Sequence, residues 1–128
     1  MNPSSEIEKR VSDAQTLSEM AASLEELLSG PYSVWLNGNL INIKQIVDRI
    51  NGLKIEVFSI EHPPPHFHVY GNGINVTFSI NDCSLIKGDI GGREKSLIKW
   101  WYNRSRKNLI QIWNETRLSD CPVGPINN

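Results

Sequence analysis

The run Pro63-Pro64-Pro65 constrains this chain more than any other stretch. Proline cannot donate to a β-ladder, and each one biases its predecessor toward extended backbone. Residues 62–65 therefore read as a stiff, polyproline-like lead-in to a strand starting near His66. Side chains alternate along a strand, so Phe67 and Val69 share the core face while His66, His68 and Tyr70 share the other. All three histidines of the chain, His62, His66 and His68, fall inside this one segment, EHPPPHFHVY.

The flanking residues extend that strand into a sheet. Residues 53–60, LKIEVFSI, alternate well enough for a strand, and 74–80, INVTFSI, place Ile74, Val76, Phe78 and Ile80 on one face. Residues 84–87 make a short further strand, and 71–73 a tight connection. Short connections predict an antiparallel meander. Upstream, Asn37-Gly38 between apolar runs predicts a two-residue hairpin over 32–43 that extends the same sheet. Asn42 then caps a short helix through Ile50. Residues 93–116 have helical periodicity, with Leu97, Ile98, Trp101, Leu109, Ile112 and Trp113 on one broad face that covers the sheet. Residues 1–30 are helical in spacing, with Ser23 and Glu26 as a capping box and Gly30-Pro31 as the stop. The expected fold class is α+β: an acidic helical arm over 1–30, a single domain over 31–117 and a flexible tail over 118–128.

A chain of 128 residues suffices for one core. With 39% hydrophobic and 21% charged residues it reads as globular. No apolar run reaches membrane-spanning length, and the polar start lacks a signal-peptide core. Cys83 and Cys121 form no metal or disulfide framework, which fits free thiols and a cytoplasmic location. Net charge is −1, but unevenly spread. Residues 1–30 hold two cations against six carboxylates, a net of −4, and residues 87–117 hold eight against three, a net of +5. That asymmetry fits either a basic surface for an anionic partner or two solvated helix faces of opposite sign.

The histidine segment admits four readings. The plain one makes the histidines polar-face fillers bonded to neighbouring groups; Glu56, Thr77 and Ser79 are the neighbours a suitable register would supply. A metal site would draw on His66 and His68 with His62, Glu61 or Asp89. Acid–base chemistry without a metal would use two histidines on one face, with Arg93 and Lys87 as the nearest cations by chain order. A binding surface is the fourth. Separately, Trp100 falls about 60° to one side of Leu97 on a helical wheel, in a band with Arg93, Arg104, Lys107 and Gln111. Cations beside an aromatic suit nucleic acid or an acidic partner chain; the alternative is that Trp100 packs beneath the acidic arm.

Glu61-His62, Pro64-Pro65-His66-Phe67-His68, Gly88, Arg93, and the helix residues Trp101, Leu109 and Trp113 occur in an order that resembles a small bacterial family, domain of unknown function 4160. Its hallmark is acid-H-x-P-P-H-F-H-V, a strand, a glycine loop and a tryptophan-bearing helix ending L-x-x-x-W. The likeness covers roughly 53–117. Gly91-Gly92 stands where the family usually has a proline. The resemblance implies a toxin of a two-component toxin–antitoxin module, held by a small cognate antitoxin. Many small α+β toxins of such modules cut RNA. The resulting expectation is a metal-independent ribonuclease without cofactor. His62, His66, His68 and Arg93 would be catalytic, and Glu61, Lys87, Trp100, Arg104 and Lys107 would bind. Partners would be the antitoxin and RNA, not a membrane, with self-association left open. The rival expectation is a non-catalytic module whose histidine face binds a protein or a metal ion.

Overall fold

The tightest local signal in the fold is a two-residue Asn-Gly turn, at Asn72-Gly73. Both residues take positive φ, 48° and 87°, the pair of left-handed conformations that matches the twist of a hairpin. The computed structural model describes residues 3–43, 50–57 and 64–115, with side chains from Glu6 onward in the first helix. The elements are α1 (Pro3–Asp13), α2 (Leu17–Ser29), β1 (Tyr32–Val34), β2 (Leu40–Asn42), β3 (Lys54–Glu56), β4 (His66–Gly71), β5 (Ile74–Ser79), β6 (Leu85–Lys87) and α3 (Gly92–Glu115). The expected helix after Asn42, the strand end at 58–60 and the tail over 118–128 fall wholly or largely outside the described residues.

The arrangement is α+β with two antiparallel sheets. Strands β3 to β6 form a four-stranded meander in chain order. The Asn72-Gly73 turn pairs Gly71 with Ile74 and so sets the whole β4–β5 register. At the other end, the Ile80 amide donates to the Pro65 carbonyl at 2.9 Å, so the ladder runs one step into the prolines. Gly88 follows β6 at φ 97°, and a Cβ there would lie 2.3 Å from the Asn75 carbonyl oxygen. Only glycine fits that approach.

The hairpin over 32–43 does not extend this sheet, contrary to expectation; β1 and β2 form a separate two-stranded ribbon. Its connection is a five-residue loop rather than a two-residue turn. Gly38 alone has positive φ, and the Asn37 side chain instead accepts from the Asn39 amide at 3.2 Å. The ribbon is held at α3 because Arg93 donates to the Tyr32 carbonyl at 2.9 Å, and because Tyr32 and Leu40 are buried in the common core.

The cap of α2 also differs from the expected Ser23–Glu26 pair. Thr16 accepts from the Glu19 amide at 3.1 Å, and the Glu19 carboxylate accepts from the Thr16 amide at 3.2 Å. Ser23 sits mid-helix instead, buried; it donates to the Met20 carbonyl and accepts from Trp101 Nε1 at 3.4 Å. Gly30 closes the helix, its amide donating to the Glu26 carbonyl at 3.0 Å.

Helix α3 covers the inner face of the meander. Phe67 stacks between Phe78 and Tyr102, with ring centroids 5.7 and 6.2 Å away, and meets Trp101 at 5.8 Å. The Tyr102 hydroxyl donates to the Ile80 carbonyl. Leu97, Ile98, Trp101, Leu109 and Trp113 are buried as the periodicity predicts, while Ile112 is only half-buried. Trp100, Tyr102, Ser105 and Ile110 are buried as well. The buried arc is wider than one stripe because α3 has neighbours on several sides: the meander, the ribbon, α1 and α2. Ile7, Val11, Met20, Leu24, Leu27 and Leu28 join the same core from the two N-terminal helices. Arg10 grips Glu26 through two hydrogen bonds, at 2.7 and 2.5 Å, and Asn108 Nδ2 donates to the Ala14 carbonyl at 2.7 Å. Among the described residues, no helix is long and apolar enough to cross a membrane.

Candidate functional site: the outer face of the meander

Strand β4 is central in the meander, and its alternation decides what faces outward. Phe67 and Val69 are fully buried, whereas His66, His68 and Tyr70 are half-exposed on the opposite face. The register then aligns four strands in one transverse row. Glu56 on β3 pairs with His68, His68 pairs with Thr77 on β5, and Thr77 pairs with Lys87 on β6. Neighbouring strands lie about 4.8 Å apart, so the row carries a carboxylate, an imidazole, a hydroxyl and an ammonium over roughly 15 Å. His66 pairs with Ser79 one step along.

Hydrogen bonds order this face. The Tyr70 hydroxyl donates to Glu56 Oε1 at 2.5 Å, which raises the phenol's pKa because ionisation would forfeit that bond. The Tyr70 ring stacks on His68 at 5.0 Å between centroids. Lys54 Nζ lies 5.9 Å from the centre of the same tyrosine ring. His68 Nε2 lies 2.6 Å from Asn75 Oδ1. A carbonyl oxygen only accepts, so Nε2 of His68 carries the proton. His66 Nδ1 lies 2.9 Å from the Pro64 carbonyl and carries its proton for the same reason. In the neutral ring the lone pair of His66 is therefore on Nε2. A base, an acid and cations on one open face can move protons and hold an anion.

The remaining expected site residues lie elsewhere. Arg93 does not join the histidines, although chain order makes it one of their nearest cations. Its guanidinium donates to the carbonyls of Tyr32, Leu28 and Gly30 at 2.9, 3.2 and 2.9 Å, tying the start of α3 to the end of α2. Burial lowers its pKa. Arg93 also lines a cleft of about 380 Å³ with Asn72, Gly73 and Asp89, at the far end of the β4–β5 hairpin from His66. Five strand steps, roughly 17 Å, separate the two ends.

Trp100 is buried rather than displayed on an exposed band. The Arg104 guanidinium covers its ring at 3.7 Å and lies 3.8 Å from Glu8 of α1. Lys87 and Lys107 are exposed, the first on the histidine face and the second on α3. Glu61 and His62 lie outside the described residues. Among those that are described, no group of three or more His, Cys, Asp or Glu side chains is gathered to hold a metal ion.

The alternation of 74–80 puts Asn75 on the polar face, but its bond to His68 and the approach of Lys54 to Tyr70 escaped sequence reasoning. The signal that finds Asn75 is the Asn72-Gly73 turn, since pairing 71 with 74 forces Tyr70 opposite Asn75 and brings His68 diagonal to it. Lys54 is placed by the β3–β4 register, which sets it opposite Tyr70.

Residues 52–114 match the family model described as a domain of unknown function, DUF4160. That is the family which the proline–histidine segment resembles. The DUF4160 match covers β3 to β6 and nearly all of α3, and hence every described residue of the histidine face. It leaves out α1, α2 and the β1–β2 ribbon. No curated protein and no solved structure matches the chain.

Proposed function

We propose that this protein is the toxin of a bacterial two-component module and that the outer face of the meander cleaves RNA without a metal. The observation that carries the reading is the transverse row Glu56–His68–Thr77–Lys87 with His66 beside it on the same strand face. His66 and His68 are two residues apart, about 7 Å by strand geometry, which suits groups on either side of one phosphate. His66 Nε2 takes the proton of a ribose 2′-hydroxyl, and the 2′-oxygen bonds to phosphorus. The bond from phosphorus to the 5′-oxygen breaks, and the cationic His68 returns a proton to that oxygen. The products are a 2′,3′-cyclic phosphate and a 5′-hydroxyl. Lys87 faces the developing charge, the role first assigned to Arg93. Glu56, held by Tyr70, places a carboxylate beside His68 in the same row. The partner in the cell is a small cognate antitoxin, and the compartment is the cytoplasm.

The test is induced expression in a bacterial host, with growth and total RNA compared for wild type, His66→Ala and His68→Ala. Growth arrest with RNA breakdown that falls by roughly 100-fold or more in each variant is expected. Purified protein should cut RNA in the presence of a chelator and leave a 2′-deoxy analogue intact. Arrest with intact RNA, or full activity in correctly folded histidine variants, would sink the catalytic reading. The second reading is a binding module, favoured by the engagement of His68 with Asn75 and Tyr70. It predicts no turnover, with histidine variants losing partner affinity instead.

A further inference from the structure

Trp35 and Leu36 stand side by side at the tip of the β1–β2 ribbon, 59% and 107% exposed. They are two of the three large exposed hydrophobics among the described residues. The loop that presents them is ordered: the Trp35 amide donates to the Asn39 carbonyl at 3.0 Å, and the Gly38 amide to the Trp35 carbonyl at 2.8 Å. Between this tip and α3 lies a cleft of about 260 Å³, lined by Trp35, Leu36, Lys99, Trp100, Asn103 and Arg104 among others. Its charged lining residues are two cations, with no carboxylate. Trp100 is 3% exposed, and its indole N–H has no acceptor among the described residues. That indole nitrogen is closed off from solvent, and Trp100 enters the cleft as part of its wall. Exposed apolar side chains grouped beside polar ones mark interaction sites.

We propose that this cleft docks an acidic protein segment carrying apolar anchor residues. An anchor packs on Trp35 and Leu36, and carboxylates meet Lys99 and Arg104. Charge complementarity selects an acidic occupant. Leu36, fully exposed and aliphatic, selects a protein over RNA, whose bases stack on aromatic faces and whose backbone needs only cations. The 3.8 Å contact between Arg104 and Glu8 is long enough for an incoming carboxylate to replace it. The ribbon lies outside the DUF4160 match, so this docking surface belongs to the part of the chain beyond that segment. The inference stands whether or not the histidine face cuts RNA.

The experiment is fluorescence anisotropy of a labelled peptide of glutamates interrupted by leucines, titrated with the full chain. Controls are an all-glutamate peptide and a labelled RNA strand of equal length. Saturable binding of the mixed peptide is expected, roughly tenfold weaker for Trp35→Ser/Leu36→Ser and for Lys99→Glu. The Trp100 indole N–H resonance, assigned with Trp100→Phe, should move on binding. All the substituted binding positions except Trp100 are on the surface, and circular dichroism checks that the fold survives. Absent saturation, equal binding by the variants, or equal binding of the all-glutamate peptide overturns the proposal. Tighter binding of RNA overturns it in favour of a nucleic-acid surface. A concentration-dependent dimer abolished by Trp35→Ser/Leu36→Ser overturns it in favour of a second copy of this chain.

Discussion

Arg93 shows how packing reassigns a residue that chain order misplaces. Its position four residues after Asp89, at the mouth of a helix, makes it look available to an anion. The structure spends its guanidinium on three carbonyls left over at the end of α2 and the start of β1. Arg93→Met should therefore cost about 2–3 kcal/mol of stability, because three acceptors lose charge-assisted donors, and Arg93→Lys should recover only part of it. Urea denaturation midpoints measure this; an unchanged midpoint would mean that the three bonds contribute nothing. Cys83 gives a second prediction at this scale. Burial pushes its thiol from an ordinary 9.0 up to about 12. The folded state thus favours the protonated thiol, so its contribution is intact below pH 9 and is lost as pH rises from there toward 12. Wild type should lose stability over that window more steeply than Cys83→Ala. Parallel pH profiles would show that the thiol does not titrate differently on folding. Neither role was legible in the sequence, because both arise from contacts between residues far apart in the chain. The alternation of Phe67 and Val69 against His66, His68 and Tyr70 was legible, since it needs only strand geometry.

Among the elements, the local signals were true but their placement was decided by competition. The chain has three Asn-Gly pairs; of the two that join paired strands, the tight turn formed at Asn72-Gly73, not at Asn37-Gly38. Strands β4 and β5 are six residues each and bury Phe67 against Phe78, so long pairing favours the tight register there. The β1–β2 ribbon has three residues a side and gains its burial from α3 instead. Likewise two Ser/Thr-x-x-Glu patterns compete to cap α2, and the upstream one wins because it keeps Met20, Ala21, Leu24 and Leu28 on one buried face. Thr16→Ala should lower stability by about 1 kcal/mol through loss of the cap. Ser23→Ala should leave the helix start intact and act only through the buried Trp101 contact. Thermal melts with helix content followed by circular dichroism separate the two; a Ser23 variant that shortens the helix would contradict the assignment.

At the scale of the whole molecule, the segment that matches the DUF4160 model and the N-terminal helices are not separable by packing. Ile7, Val11, Met20, Leu24, Leu27 and Leu28 are each fully buried in the core that Trp101 and Phe67 also occupy. Each such side chain contributes about 1.5–3 kcal/mol, and a domain has only about 5–15 kcal/mol in total. A chain beginning after α2 should lack a cooperative thermal transition and a dispersed proton spectrum. A well-folded truncation would show that the meander and α3 close their core alone. The acidic and basic halves of the sequence make partial sense here, since Arg104 and Asn108 of α3 meet Glu8 and Ala14 at α1. That docking was not legible because apolar spacing says that a helix buries a face, not which face receives it.

The alternation along β4 has one more consequence. Positions 67 and 69 face the core and positions 66, 68 and 70 face outward, on a single six-residue strand. A substitution at 66, 68 or 70 leaves the buried stack of Phe67, Phe78 and Tyr102 in place, whereas one at 67 or 69 risks the fold. Descendants of this chain can thus acquire, exchange or lose an activity at His66, His68 and Tyr70 while remaining folded throughout, so that a shared ancestry visible in the buried positions carries no promise of a shared reaction.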